Sequence, residues 1–392
     1  MRLGKIGLVL AFGLPSGLAG PAQAQSLAPL SWPVGQADLK LAGDASGALF
    51  EPHQPGWDGT QASGALRLMP ELKRSYDSGL SLGLGGTFTA ADPLSRGRYD
   101  GDVIERLAAS AQTGLGKIEV GVTDGAGYLL GLTGPQTDPG VGLDDARTSF
   151  FRDPLTHRAV TDMFALRTQV GASSNYAKIV YTSPALFGAQ IALSFTPSEG
   201  KQVPFLNAGP HLPGRQVEFW EAALRYETDI GPVTLSGYGA VSESRAEHKL
   251  PGQEGTSDLG AGLKADYPLN EDINLSLGGA YRQSNAYAFN VNQSWQAGTT
   301  RVGHISTGLT YKQWMAGLEY GTGVADAVAG LPRLGLGGLQ ASLGYKISDS
   351  ASVSTGWQHQ TYSRNRGLFF NGAPQLKMDA IYLHLKLNTS EE

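Results

Sequence analysis

Two sets of charged residues in this 392-residue sequence could act on a passing solute. One is rich in carboxylates: Asp124, Asp138, Asp144, Asp145, Arg147 and Asp153 lie within or at the neck of one long stretch, 125–171. The other is basic: Arg67, Arg106, Lys117 and Lys178 are scattered along the chain but fall on the same face of short alternating segments. Opposed charges across a narrow, wet gap set ion preference and orient dipolar solutes. Such chemistry is electrostatic and needs neither a nucleophile nor a metal.

Patterns that would imply catalysis are weaker. Gly79-Leu80-Ser81-Leu82-Gly83 fits G-x-S-x-G. That motif needs a strand-to-helix turn to expose its serine, and here Leu80, Leu82 and Leu84 alternate as in a strand. The histidines have no H-E-x-x-H spacing. Asp100-Gly101-Asp102 offers two carboxylates, fewer than a calcium loop uses. Arg364 and Arg366 suit phosphate groups or plain solvent. No catalytic residue, no cofactor and no enzyme activity are expected.

The elements that must position these charges follow from composition and periodicity. The sequence has 54 Gly, no Cys and a net charge of −5. Glycine disfavours long helices, no disulfide holds the chain, and the mild acidity argues against a nucleic-acid partner. Arg2 and Lys5 precede a short apolar run, Ile6 to Leu14, and then Ala22-Gln23-Ala24. This reads as a Sec-type signal peptide, residues 1–24, cleaved after Ala24. No later apolar run is long enough for a membrane helix.

The informative signal has period two. Phe187, Ala189, Ile191, Leu193 and Phe195 share one face, with Gly188, Gln190, Ala192, Ser194 and Thr196 on the other. The same alternation recurs to Ile381, Leu383, Leu385 and Leu387. Strands are expected at 36–49, 60–69, 79–90, 102–113, 115–124, 172–183, 187–197, 216–229, 232–243, 257–268, 272–284, 301–312, 314–323, 337–347, 350–363 and 376–387. Their connections alternate short and long, as in membrane barrels with short periplasmic turns and longer outer loops. A soluble sandwich would not impose that parity. The expected fold is all-β: one transmembrane antiparallel β-barrel of about 16 strands, spanning 36–387, after a short segment 25–35 and before a polar tail 388–392.

Outward aromatics fall near strand ends, as interfacial girdles do. Tyr181, Phe187, Tyr226, Tyr267, Tyr311, Trp314 and Tyr345 mark one end; Phe195, Trp220, Tyr281 and Tyr320 mark the other. The first five strands present mainly aliphatic residues instead, among them Leu66, Leu68, Leu82, Leu84, Leu107, Ile118 and Val120. A wall covered by protein needs no girdle, so these strands, with the sixteenth, are expected to contact other copies in a homotrimer.

The segment from Ser174 through Tyr181-Thr182-Ser183-Pro184-Ala185-Leu186-Phe187-Gly188 to Ile191 resembles the strand–turn–strand after the constriction loop of Gram-negative general porins. Gly114 to Gly121 resembles the strand before that loop, and Leu66 to Glu71 with Asp77 to Leu80 is similar to the early hairpin of alphaproteobacterial members. The chain departs from the family in lacking a Pro-Glu-Phe-Gly-Gly stretch in the loop. It also ends on Asn388-Thr389-Ser390-Glu391-Glu392 rather than Phe, the residue the assembly machinery recognises. The resemblance implies that stretch 125–171, the third loop, folds inward and narrows the channel. The expected constriction then has Arg67, Arg106, Lys117 and Lys178 on the wall, facing the loop's Asp124, Asp138, Asp144, Asp145, Arg147 and Asp153. The expected partners are outer-membrane lipid, lipopolysaccharide and small hydrophilic solutes, with passive diffusion as the function. A solute-selective channel for sugars or carboxylates, and a non-conducting structural or adhesion barrel, remain as alternatives.

Overall fold

The computed structural model describes residues 28–389, apart from 55–58, 92–103, 137, 139–140, 145–149, 152–165, 174–175, 200–214, 248, 250–253, 286–298, 326–333 and 365–374. Among these residues, seventeen strands form one antiparallel sheet. They are β1 Leu30–Val34, β2 Ala37–His53, β3 Gln61–Ser75, β4 Ser81–Ala91, β5 Ile104–Thr113, β6 Gly116–Val122, β7 Ala177–Thr182, β8 Ala189–Ser198 and β9 Gln216–Ile230. They continue as β10 Val233–Ala246, β11 Ser257–Pro268, β12 Ile273–Ser284, β13 Thr300–Tyr311, β14 Trp314–Ala325, β15 Leu334–Ser348, β16 Ala351–Arg364 and β17 Gln375–Asn388. Each of β2 to β17 pairs with its sequence neighbour, and β17 returns to β2 through Asp379↔His53 to Asn388↔Asp44. The result is a closed 16-strand barrel with almost no helix.

Closure satisfies the backbone where lipid offers no hydrogen bonds. The alternation then decides which side chain faces out of the barrel. Leu259, Leu263, Leu277, Ile305, Leu309, Leu318, Leu343 and Leu383 are exposed on the outer face. Their neighbours Asp258, Lys264, Ser276, His304, Ser306, Glu319, Ser342 and His384 face inward, and most are buried there. The expected girdle residues Tyr226, Tyr267, Tyr311, Trp314, Trp220, Tyr281 and Tyr320 are all exposed outside.

Two segments differ from the sequence reading. β3 continues through Pro70 to Ser75, beyond the strand expected at 60–69. The β3–β4 register skips from Leu68↔Phe88 to Glu71↔Gly85, so the missing proline N–H falls in a gap of that ladder. The segment expected to precede the barrel contains β1. It pairs with β2 from Leu30↔Leu41 to Val34↔Ala37, on the edge that β17 leaves at Asp44. Thr389 donates its N–H to the Gly43 carbonyl at 2.9 Å between the two. The seam of the barrel is thus finished by an N-terminal hairpin rather than by a longer last strand. The tight return at Gly35, with φ +65°, is the left-handed conformation that glycine supplies without strain.

Candidate functional site

The described residues between β6 and β7 pack against the inside of the wall and include a short helix, α1 Ala126–Leu129. Val170, Ala126, Leu130 and Leu132 meet Ala192 of β8, Ala223 of β9, and Tyr238 and Ala240 of β10. Val141, Leu143, Phe150, Phe151 and Leu166 meet Val302, Leu336, Met378, Tyr382 and Phe50, on β13, β15, β17 and β2. Phe150 lies between two rings, with centroids 5.0 Å from Phe50 and 4.9 Å from Tyr382. Burying such a ring contributes roughly 1.5–3 kcal/mol, which gives the inward fold a hydrophobic cause.

Glycines on the wall let the loop's backbone approach. A Cβ on Gly278 would come within 3.1 Å of both Gly134 Cα and Pro135 Cδ, and one on Gly262 within 2.7 Å of the Leu132 carbonyl oxygen. Part of the chain's glycine content is therefore a lumen-facing groove for the loop.

Both necks of the loop are held by buried polar groups. Glu221 accepts the Ser194 hydroxyl at 3.0 Å and the Ser173 N–H at 3.3 Å. Ser194 Oγ in turn accepts the Ala126 N–H at 3.1 Å. Tyr238 donates its hydroxyl to the Gly127 carbonyl at 2.7 Å. Gly171 N–H donates to Asp258 at 3.3 Å, and Asp258 accepts two bonds from Arg282. Further along, Asp144 accepts both the N–H and the hydroxyl of Thr168 at 2.6 Å. Asp138 accepts the Ser354 hydroxyl and lies 2.7 Å from His384 Nδ1. Glu319 accepts the Leu143 N–H at 3.0 Å and lies 3.3 Å from His304 Nε2.

The expected site residues divide into three groups. Arg67, Arg106 and Lys117 do face the lumen, on an arc from β3 to β6. Their partner carboxylates, however, are on the wall. Arg67 pairs with Asp44 at 2.5 Å, while Arg106 and Lys117 share Glu119, the lysine at 3.2 Å. The second group corrects the sequence reading. Lys178 is 2% exposed and holds the Ser173 carbonyl and hydroxyl at 3.2 and 2.8 Å, so it braces the loop's neck instead of lining the gap. Asp138 and Asp144 are 4% and 1% exposed and turn to the wall and to Thr168, not across to the basic arc. A carboxylate buried without partners costs several kcal/mol; wall donors satisfy Asp138, and Thr168 of the loop satisfies Asp144. Asp124 is half-buried at the loop's start. Asp145, Arg147 and Asp153 form the third group and lie outside the described residues.

The sequence reading missed His304, His384 and Ser354 as loop partners. The signal was present in their lumen-facing parity on β13, β16 and β17. Many inward residues from β8 to β17 are buried against the loop, among them Ala192, Glu319, Gln340 and Tyr382, although Arg225 on β9 keeps 38% of its side-chain surface exposed. On the other arc, the side chains of Arg106 and Lys117 keep 36% and 37% of their surface exposed.

Comparison with known proteins places this geometry. The family described as Gram-negative porin matches residues 8–367. No curated protein matches. Among solved structures, the outer membrane channel DcaP of Acinetobacter baumannii aligns with a TM-score of 0.57 and 12% identity, over 92% of this chain and 100% of its own. The anion-selective porin from Comamonas acidovorans gives 0.55 and 11%, over 90% and 99%. The trimer form of OmpT, an outer membrane protein of Vibrio cholerae, gives 0.54 and 11%, over 90% and 99%. At these identities the likeness is one of fold.

Proposed function

The chain belongs to the Gram-negative porin family, and on that premise we propose that solutes cross its outer-membrane channel along the arc of wall from β3 to β6. One observation carries this reading: the described residues of the loop pack on β8, β9, β10, β13, β15, β17 and β2, while Arg106 and Lys117 on β5 and β6 keep more than a third of their side-chain surface open. Small hydrophilic solutes diffuse down their gradient through this gap, without catalysis or energy coupling. A signal peptide at residues 1–24 delivers the chain to the periplasm for assembly.

Arg67, Arg106 and Lys117 act as the basic side of the constriction, with Asp124, Asp145, Arg147 and Asp153 on the loop. Lys178, Asp138 and Asp144 contribute by holding the loop. Anions are weakly preferred, because two of the arc's cations share one carboxylate. The aliphatic outer face of β3 to β6, exposed at Leu66, Leu68, Leu84, Leu107 and Ile118, supports association into a homotrimer. OmpT of V. cholerae has been solved in a trimer form. Lipid and lipopolysaccharide surround the rest of the wall.

Single-channel recording in a planar bilayer under a salt gradient tests the reading. Ohmic steps in threes, with a reversal potential on the anion side, are expected. Folded protein that passes no current would instead support the closed structural barrel.

A further inference from the structure

The inner wall is dented on the arc that the loop leaves exposed. Gly85 on β4 and Ala108 on β5 present almost no side chain, and a cavity of about 380 Å³ opens over them. Its rim is charged. Lys40 and Glu71 stand opposite each other in the β2–β3 register. Arg106 and Lys117, reaching from β5 and β6, converge on Glu119, which is 5% exposed. The rim therefore carries three cations, Lys40, Arg106 and Lys117, against two carboxylates, Glu71 and Glu119, a surplus of one positive charge. Pro29, immediately before β1, borders the cavity, so the N-terminal hairpin helps to shape it.

An arginine and a lysine carry more N–H donors than a single carboxylate accepts. Glu119 holds the two cationic heads together, and both remain more than one-third exposed to the lumen. A planar or tetrahedral oxyanion fits that pair, because guanidinium and ammonium groups bind such oxygens through charge-assisted bonds. A halide offers no such fork of acceptors.

We propose that this recess is a resting site for a compact oxyanion, either a small carboxylate or inorganic phosphate, on its way through the channel. The inference rests on the porin reading above. The anion's oxygens accept from Arg106 and Lys117, while Glu119 fixes both donors and keeps net attraction low. A site in a conducting pore must bind well enough to fill and weakly enough to empty; the shared carboxylate meets the second condition.

The test records chloride current through the full protein in a planar bilayer at constant ionic strength, with inorganic phosphate or acetate added. The expected result is a saturable fall in current, with half-saturation raised about tenfold in K117Q. K346Q, which removes a lysine paired with Asp349 at the far end of β15, is expected to leave half-saturation unchanged. Saturation by both anions supports the shared oxyanion chemistry; saturation by one identifies the source. A fall that is linear in concentration, or one that K117Q and K346Q shift alike, overturns the site while leaving the channel intact. Absence of any current counts against the channel itself. Titration calorimetry of phosphate and acetate into the detergent-solubilised protein then decides the site: saturable heat from either anion, lost in K117Q, supports it, and no saturable heat from both overturns it.

Discussion

His384 Nδ1 lies 2.7 Å from Asp138 Oδ1, a contact that spans 246 residues of sequence and ties the last strand to the third loop. Ser354 donates to the same carboxylate, so the tip of the loop is joined to two adjacent strands. In D138A both donors lose their acceptor inside the barrel. A loss of about 1–3 kcal/mol in loop anchoring is expected. Single-channel traces should show a noisier open level. A trace as quiet as the parent's would mean that the Phe150 contacts alone hold the tip.

Glu221 links both necks of the loop, through Ser173 on one side and through Ser194 to Ala126 on the other. E221A is expected to lower thermal stability in detergent by about 1–3 kcal/mol. It should also raise the protease sensitivity of the stretch 125–171. Cleavage at the parent's rate would show that Tyr238 and Asp258 suffice.

Gly278 has no room for a side chain. A Cβ there would meet the Leu263 carbonyl oxygen at 2.9 Å and the loop at Gly134 and Pro135, both at 3.1 Å. G278V is expected to push the loop from the wall at a cost of about 1–3 kcal/mol. Conductance should change while the barrel's strand content, read by circular dichroism, stays constant. Equal conductance would show that the loop absorbs the displacement without altering the gap.

Arg67 and Arg106 are the arginines of the exposed arc, paired with Asp44 and Glu119 respectively. Replacing both by Ser removes two positive charges from the lumen side and leaves Asp44 without its arginine and Glu119 with Lys117 alone. The reversal potential under a salt gradient should move toward cation preference. No shift would remove this arc from the narrowest part of the path.

Deleting residues 25–34 removes β1 and strips its pairing from β2 between Ala37 and Leu41. The open edge is expected to lower the temperature at which the barrel loses its compact mobility on gels, because an unpaired edge leaves backbone groups unsatisfied. An unchanged transition would make β1 dispensable for closure.

Much of the fold was legible in particular residues. The alternation of Leu259, Leu263 and Leu277 with Lys264, Arg282 and Glu319 separates the outer face from the lumen face in the sequence itself. β1 was not legible: Leu30-Ser31-Trp32-Pro33-Val34 contains a proline and is only five residues long. Its strand character comes from the β2 edge that it covers. Among the site residues, Arg67, Arg106 and Lys117 were placed by parity, since a strand turns every second side chain to the same face. Lys178 obeys the same parity yet is covered by the loop's neck, and parity carries no information about what lies above a residue.

The sequence by itself determined the strands, their inward and outward faces, and the need for a closed barrel. Those properties are set by a local period of two and by a solvent that cannot satisfy backbone groups. Only the tertiary structure decided where the third loop goes. That loop has no periodicity, and its partners, among them Glu221, Asp258, Glu319, Ser354 and His384, come from strands far along the chain. Its carboxylates had two possible uses, facing the basic arc or bonding the wall. The cost of burying an unpaired charge is met at Asp138 by Ser354 and His384, which only the closed barrel brings to it, and at Asp144 by Thr168 of the loop itself.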